Sequence, residues 1–139
     1  MSDRFFIDTN VLIYAYDLDA GAKHLKAASI VKTCWEQRNG LISTQVLQEF
    51  YVNVTRKIPM PVPLAKARGV LNTYEAWPII VNELSDVLFA SELQERYQLS
   101  FWDALIVAAA HKGRATVLLT EDLNSGQIIA GVAIQNPFL

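Results

Sequence analysis

"RFFIDTNVLIYAYD", residues 4–17, holds the junction on which the fold turns. Phe5, Phe6 and Ile7 form a β-prone run that ends at Asp8. "TNVLIYAYD" (9–17) then reads as a short helix. An acid held between apolar flanks at a strand end is costly unless it is paired or bound to a cation. A plain turn would not need Thr9 and Asn10 beside it. A strand therefore feeds a helix, with a carboxylate at the joint.

Working outward, the same alternation recurs. "AGAKHLKAASIVKTCWEQRNG" (20–40) is an amphipathic helix with Leu25, Ala28, Ile30, Val31 and Trp35 near helical spacing, stopped by Gly40. "LIS" (41–43) is a strand, and "TQVLQEFYVNVTRK" (44–57) is a helix with Ser43 or Thr44 as N-cap. Val46, Leu47, Phe50, Tyr51 and Val54 share one face of it. The Pro-rich "KIPMPVP" (57–63) is an extended connector to a helix over 63–76. "PIIV" (78–81) is a strand, 84–98 a helix, and "FWDALIVAAAHKG" (101–113) a helix capped by Ser100. "ATVLLT" (115–120) and "VAIQN" (132–136) close the series as strands. Strands alternating with helices predict an α/β domain with a largely parallel sheet.

The 139 residues, 52% apolar and 19% charged, suit one domain (1–139) with a real core. No apolar run reaches the about 18 residues a membrane helix needs, and the N-terminus carries no signal-peptide pattern. The single Cys34 excludes an internal disulfide and suits a reducing, cytoplasmic setting. A net charge of -2 argues against bulk-electrostatic nucleic-acid binding but leaves room for a local basic groove.

In a parallel sheet, strand C-termini and helix N-termini share one edge, where ligands bind. Asp8 closes the first strand, Glu49 lies in the second turn after "LIS", Asp103 in the first turn after Ser100, and Asp122 just beyond "ATVLLT". Four acids from distant segments thus fall on one edge. All but Asp8 have a plainer explanation. Asp103 fits a capping box with Ser100 and suits the helix dipole. Glu49 fits a solvent-facing side chain beside Gln48, and "TEDLNSG" (120–126) fits an ordinary loop. Together, four carboxylates would repel one another and raise their pKa values unless cations neutralise them. Mg²⁺ or Mn²⁺ are the natural counter-ions. His24 and His111 lack ligand spacing for zinc and read as surface residues.

"FFIDTNVLIYAYD", "STQVLQEFY", "LSFWDALIVAAA" and "LLTEDLNSGQ" resemble, in this order, the four motifs of the PIN-domain nucleases, most closely the VapC-type toxins of bacterial toxin–antitoxin pairs. The resemblance covers nearly the whole chain. It implies a three-layer α/β/α sandwich and Asp8, Glu49, Asp103 and Asp122 as acidic ligands of Mg²⁺ (or Mn²⁺). Thr9 and Asn10 would position Asp8, and Thr120 would support the fourth motif. Asp122 is preferred to its neighbour Glu121 because the family pattern places an acid two residues after the Thr. The resemblance further implies cleavage of an RNA phosphodiester by activated water with a 3′-hydroxyl leaving group, a homodimer, and an antitoxin whose tail covers the active edge. Lys23, Lys26, Lys66 and Arg68 are candidate phosphate contacts, with ordinary solvated helix charges as the competing account.

Two other classes compete. A haloacid-dehalogenase-type phosphatase also opens on an apolar strand and an Asp, but it needs a second acid two residues on, where this chain has Asn10. A non-catalytic metal-binding or protein-interaction module on the same scaffold would bind Mn²⁺ without cleaving RNA.

Overall fold

The computed structural model describes residues 2–139. Phe5–Ile7 forms β1, and Asp8 is at once its end and the N-cap of α1 (Thr9–Tyr16). A 3-10 turn over Leu18–Ala20 leads to α2 (Ala22–Gln37) and then β2 (Gly40–Ser43). Ser43, fully buried, accepts a hydrogen bond from the Val46 N–H and starts α3 (Thr44–Arg56). The Pro-rich connector is anchored where the Val62 N–H donates to the Val54 carbonyl. It ends in α4 (Leu64–Thr73), a 3-10 turn (Tyr74–Ala76) and β3 (Ile79–Ile80). α5 (Leu84–Tyr97) and α6 (Phe101–Lys112) precede β4 (Val117–Leu119). A short hairpin, β5 (Ile128–Ile129) and β6 (Val132–Gln135), completes the chain.

The strand order is β3-β2-β1-β4-β6-β5, parallel throughout except for β5 against β6. The chain steps from β1 to β2 to β3 in one direction, then returns across the sheet to β4. With right-handed crossovers, α1 to α4 cover one face and α5 and α6 the other. The packing agrees: α1 lies on α2 and α3, α3 on α4, and α5 on α6, which also touches β2, β3 and β6. This is the α/β/α sandwich with a largely parallel sheet that the sequence implies. The direction reverses between β1 and β4, so their C-terminal ends flank the crevice where such sheets bind ligands.

α6 explains its own composition. Ala104 to Ala110 are all buried, because one side meets the sheet and another meets α5. Small alanines let the layers approach closely, and the two helix ends, with Asp103 at the first and His111 and Lys112 at the last, leave the core. No helix among the described residues is long and apolar enough to cross a membrane.

Three local expectations are corrected. Gly40 does not stop α2. The helix ends at Gln37 with Arg38 left-handed at φ 55°, whereas Gly40 opens β2. A Cβ on Gly40 would stand 2.5 Å from the Trp77 ring, so the strand requires the missing side chain. Leu25 is not on the buried face of α2. It is 71% exposed, and the inward stripe is Ala27, Val31 and Cys34, spaced four and three residues apart. His24 is half-buried rather than a surface residue, its ring Nδ1 bonded to the Tyr14 carbonyl, while His111 is exposed as expected. The two-residue β5 carries no period of its own and was not expected. Its pairing with β6 defines it.

Candidate active site

The reversal point between β1 and β4 gathers the candidate side chains. Asp8 leaves β1 with its carboxylate only 5% exposed. Its Oδ1 accepts from the Thr9 N–H at 2.7 Å, and its Oδ2 accepts from the Thr120 hydroxyl at 2.8 Å and from Asn10 Nδ2 at 3.5 Å. Thr120, the residue after β4, is fully buried and acts as a hub. Besides donating to Asp8, its oxygen accepts from Asn10 Nδ2 at 3.3 Å and from the Asp122 N–H at 3.1 Å. Asn10 Nδ2 also donates to Asp122 Oδ2 at 2.9 Å. Asp8, Asn10, Thr120 and Asp122 therefore form one hydrogen-bonded net.

Glu49 joins from α3. Its Oε1 accepts from the Thr9 hydroxyl at 2.7 Å, and its Oε2 lies 3.5 Å from Gln45 Nε2. The two sides of Thr9 thus hold two acids: its amide holds Asp8 and its hydroxyl holds Glu49. Asp103 stands at the start of α6 without a direct bond to this net. Its N–H donates to Ser100 Oγ at 3.1 Å, which caps the helix. The reciprocal half of a capping box, from the Asp103 carboxylate back to the Ser100 amide, is not formed. That arrangement is found instead at α5, between Glu83 and Asp86.

The electrostatics link all four acids. Burial pushes Asp8 up to about 7, with the charges of Asp122 and Glu49 adding to the rise and the bonds from Thr120 and Thr9 opposing it. Asp103 is also raised, first by burial and then by the charges of Asp122 and Glu49, against the opposing effect of Ser100. Among the described residues, the ion pairs engage Glu121, Glu83 and Asp86, and none reaches these four acids.

The donor set suits a hard divalent cation: carboxylate oxygens with no soft ligand and no protein cation to offset them. Among the described residues no three acid, His or Cys side chains stand close enough to hold one ion together.

The neighbouring acids 121 and 122 are sorted by geometry. Glu121 receives the Tyr14 hydroxyl at 2.5 Å and Lys23 Nζ at 2.8 Å, which hold its carboxyl below its ordinary range despite burial. Asp122 faces Asn10 and the net instead. Lys23 is thereby spent on Glu121, its ammonium set over the Tyr14 and Phe138 rings at 5.0 and 5.6 Å. Lys26 borders a separate cleft of about 430 Å³ with Cys34, Asn136 and Pro137, which contains no acid. Lys66 and Arg68 are exposed on α4. A basic residue that does share a cleft with the acids is Lys57, which the sequence did not single out. It lines an open cleft of about 470 Å³ with Thr9, Asn10, Glu49, Asn53 and Asp122. Gln45 was also missed, although its spacing of four residues from Glu49 places both on one helical face.

Known proteins share the fold. The chain matches the family model of the PIN domain over residues 5–128. No curated protein matches it. Among solved structures, it is similar to a toxin–antitoxin complex from Klebsiella pneumoniae, at 25% identity and TM-score 0.65, covering 95% of this chain and 96% of that one. It also shares its fold with DNA-bound VapBC from Salmonella typhimurium, at 15% identity and TM-score 0.67, covering 98% and 99%. VapC20 from Mycobacterium tuberculosis, a Sarcin-Ricin loop cleaving toxin, is likewise similar in fold at 18% identity and TM-score 0.61, covering 82% and 86%.

Proposed function

The chain belongs to the PIN domain family, and from that premise we propose that it is a Mg²⁺- or Mn²⁺-dependent endoribonuclease, the toxin of a toxin–antitoxin pair. One observation carries the reading. Asp8, Asp122 and Glu49 are joined only by neutral donors, so the crevice holds their charges together and leaves them uncompensated. In this reading Asp8, Glu49, Asp103 and Asp122 hold the cation. When bound, the ion supplies Lewis-acid polarisation of a phosphodiester and offsets the carboxylate charge.

The chain's own residues do the rest. Thr120 and Asn10 fix the Asp8 carboxylate, and Thr9 fixes Glu49, so the acids present oxygens at set positions. Lys57, on the wall of the same cleft, offers positive charge to a backbone phosphate. RNA as substrate is supported by the mycobacterial neighbour described as cleaving the Sarcin-Ricin loop. An antitoxin partner is supported by the toxin–antitoxin complexes among the neighbours. The homodimer belongs to the same proposal.

The test is cleavage of a mixed RNA pool by purified protein. Activity should vanish in EDTA and return with Mg²⁺ or Mn²⁺, and expression without a partner should slow bacterial growth. Cleavage unchanged in metal-free buffer refutes the mechanism. Mn²⁺ binding with no cleavage of any RNA favours the non-catalytic module.

A further inference from the structure

Gln45 is a polar side chain in the second position of α3, only 7% exposed. Its Nε2 faces two acceptors, Glu49 Oε2 at 3.5 Å and the Trp102 carbonyl at 3.3 Å. Neither acceptor can donate, so the amide orientation is fixed chemically: nitrogen toward the acid and the carbonyl, oxygen away. Trp102 immediately precedes Asp103. The amide thus spans two layers of the sandwich, from the acid on α3 to the turn that carries the acid on α6.

The other oxygen of Glu49 is held by the Thr9 hydroxyl at 2.7 Å. Glu49 is therefore strung between two neutral donors, one at the Asp8 junction and one at the Asp103 turn. Without Gln45, nothing in this hydrogen-bonded net ties Asp103's turn to the other three acids, since the Asp103 N–H is spent on Ser100. Gln45 Oε1 is buried and makes no hydrogen bond of its own, so the side chain is held through its Nε2 alone.

We propose that Gln45 is a positioning residue that sets Glu49 and the Asp103 turn at one spacing, and so tunes the cluster's affinity for a divalent cation. The proposal rests on the reading of the four acids as a cation site. Removing its amide should leave the fold and weaken cation binding through Glu49.

The test is calorimetric titration of the full chain with MnCl₂, alongside urea unfolding in EDTA. Gln45→Met keeps the volume and removes both hydrogen bonds, and Gln45→Ala removes the side chain. Each should unfold cooperatively in EDTA and bind Mn²⁺ about 10–100-fold more weakly, the loss usual for a residue that orients a metal ligand. In RNA cleavage kcat should fall while KM stays within about twofold. In a Glu49→Gln background, Gln45→Met should produce no further loss of Mn²⁺ affinity, because its effect passes through Glu49. A purely structural role would instead add its loss in that background. Wild-type Mn²⁺ affinity in either variant, or an additive loss, overturns the proposal, as does failure of both variants to fold. A wild type that binds no Mn²⁺ overturns the reading of the acid cluster itself and this proposal with it.

Discussion

Raising the pH of the metal-free protein from 5 to 8 should destabilise it, and Asp8 sets the size of the effect. Its carboxyl is pushed from 3.8 in the unfolded chain to about 7 in the folded protein, first by burial. Between those values the folded state holds a proton that the unfolded chain has lost. The stabilisation is therefore fully present below about pH 4 and disappears as pH rises through about 7. From pH 5 up to the folded value the loss spans two units at about 1.36 kcal/mol each, which gives about 3 kcal/mol as its order across this window. Asp103, also raised, adds to it in the same direction. Asp86 and Glu121 are lowered, so their contribution has the opposite sign, but it is complete before pH 5 and leaves this window to the acid cluster. Urea unfolding at pH 5, 6, 7 and 8 in EDTA measures the slope directly. Excess Mg²⁺ at pH 8 should recover stability, because it binds the folded cluster and not the unfolded chain. Stability that is flat or rises from pH 5 to 8 in EDTA would show that Asp8 ionises without cost and that the net is not a strained, cation-seeking site.

Three further outcomes are expected. Asp122→Asn should abolish most cleavage, whereas Glu121→Gln, which loosens only the Tyr14–Lys23 latch, should retain it, as single-turnover rates would reveal. Asp103→Asn should shift urea stability in EDTA by about 1 kcal/mol or less while Mn²⁺ affinity and cleavage fall sharply. Near-wild-type cleavage would remove Asp103 from the proposed cation site. Gly40→Ala should lower stability by about 1–3 kcal/mol, because its Cβ meets the Trp77 ring at 2.5 Å, with wild-type stability contradicting the packing argument.

How much was legible follows from where the signals lie. The strand ending at Asp8, the Ser43 and Ser100 caps and the Val46–Phe50–Val54 face were readable because local spacing and capping chemistry decide them. Leu25 was misplaced because α2 is apolar on more than one side, and only its packing against α1 and β2 selects the Ala27–Val31–Cys34 stripe. Gly40 looked like a helix stop because glycine often is one. Its need for a missing Cβ comes from Trp77, which is distant in sequence. The candidate acids were visible as a group because parallel topology places strand ends and helix starts on one edge. What joins them was not. Thr120 as hub, Gln45 as bridge and Lys23 as partner of Glu121 are contacts across 40 to 112 residues of chain, or side-chain choices that no period encodes.

The distribution of charge around the crevice supplies the last step. Four carboxylates can be held near one another either by basic side chains or by neutral donors. Basic side chains would stabilise them but compete with any cation for the same oxygens. Thr9, Asn10, Gln45 and Thr120 fix geometry through hydrogen bonds and cancel no charge. The ammonium closest in sequence to the first motif, Lys23, is drawn to Glu121, one residue from Asp122. Two adjacent acids thus meet opposite fates: one is neutralised and anchors the loop, and the other stays open toward Asn10. Exchanging that arrangement, so that the lysine faced Asp122, would keep the fold and the acid count but leave one fewer uncompensated carboxylate. The chain therefore accepts a destabilised crevice at neutral pH, and this is the condition under which the proposed divalent cation would bind with a gain in stability.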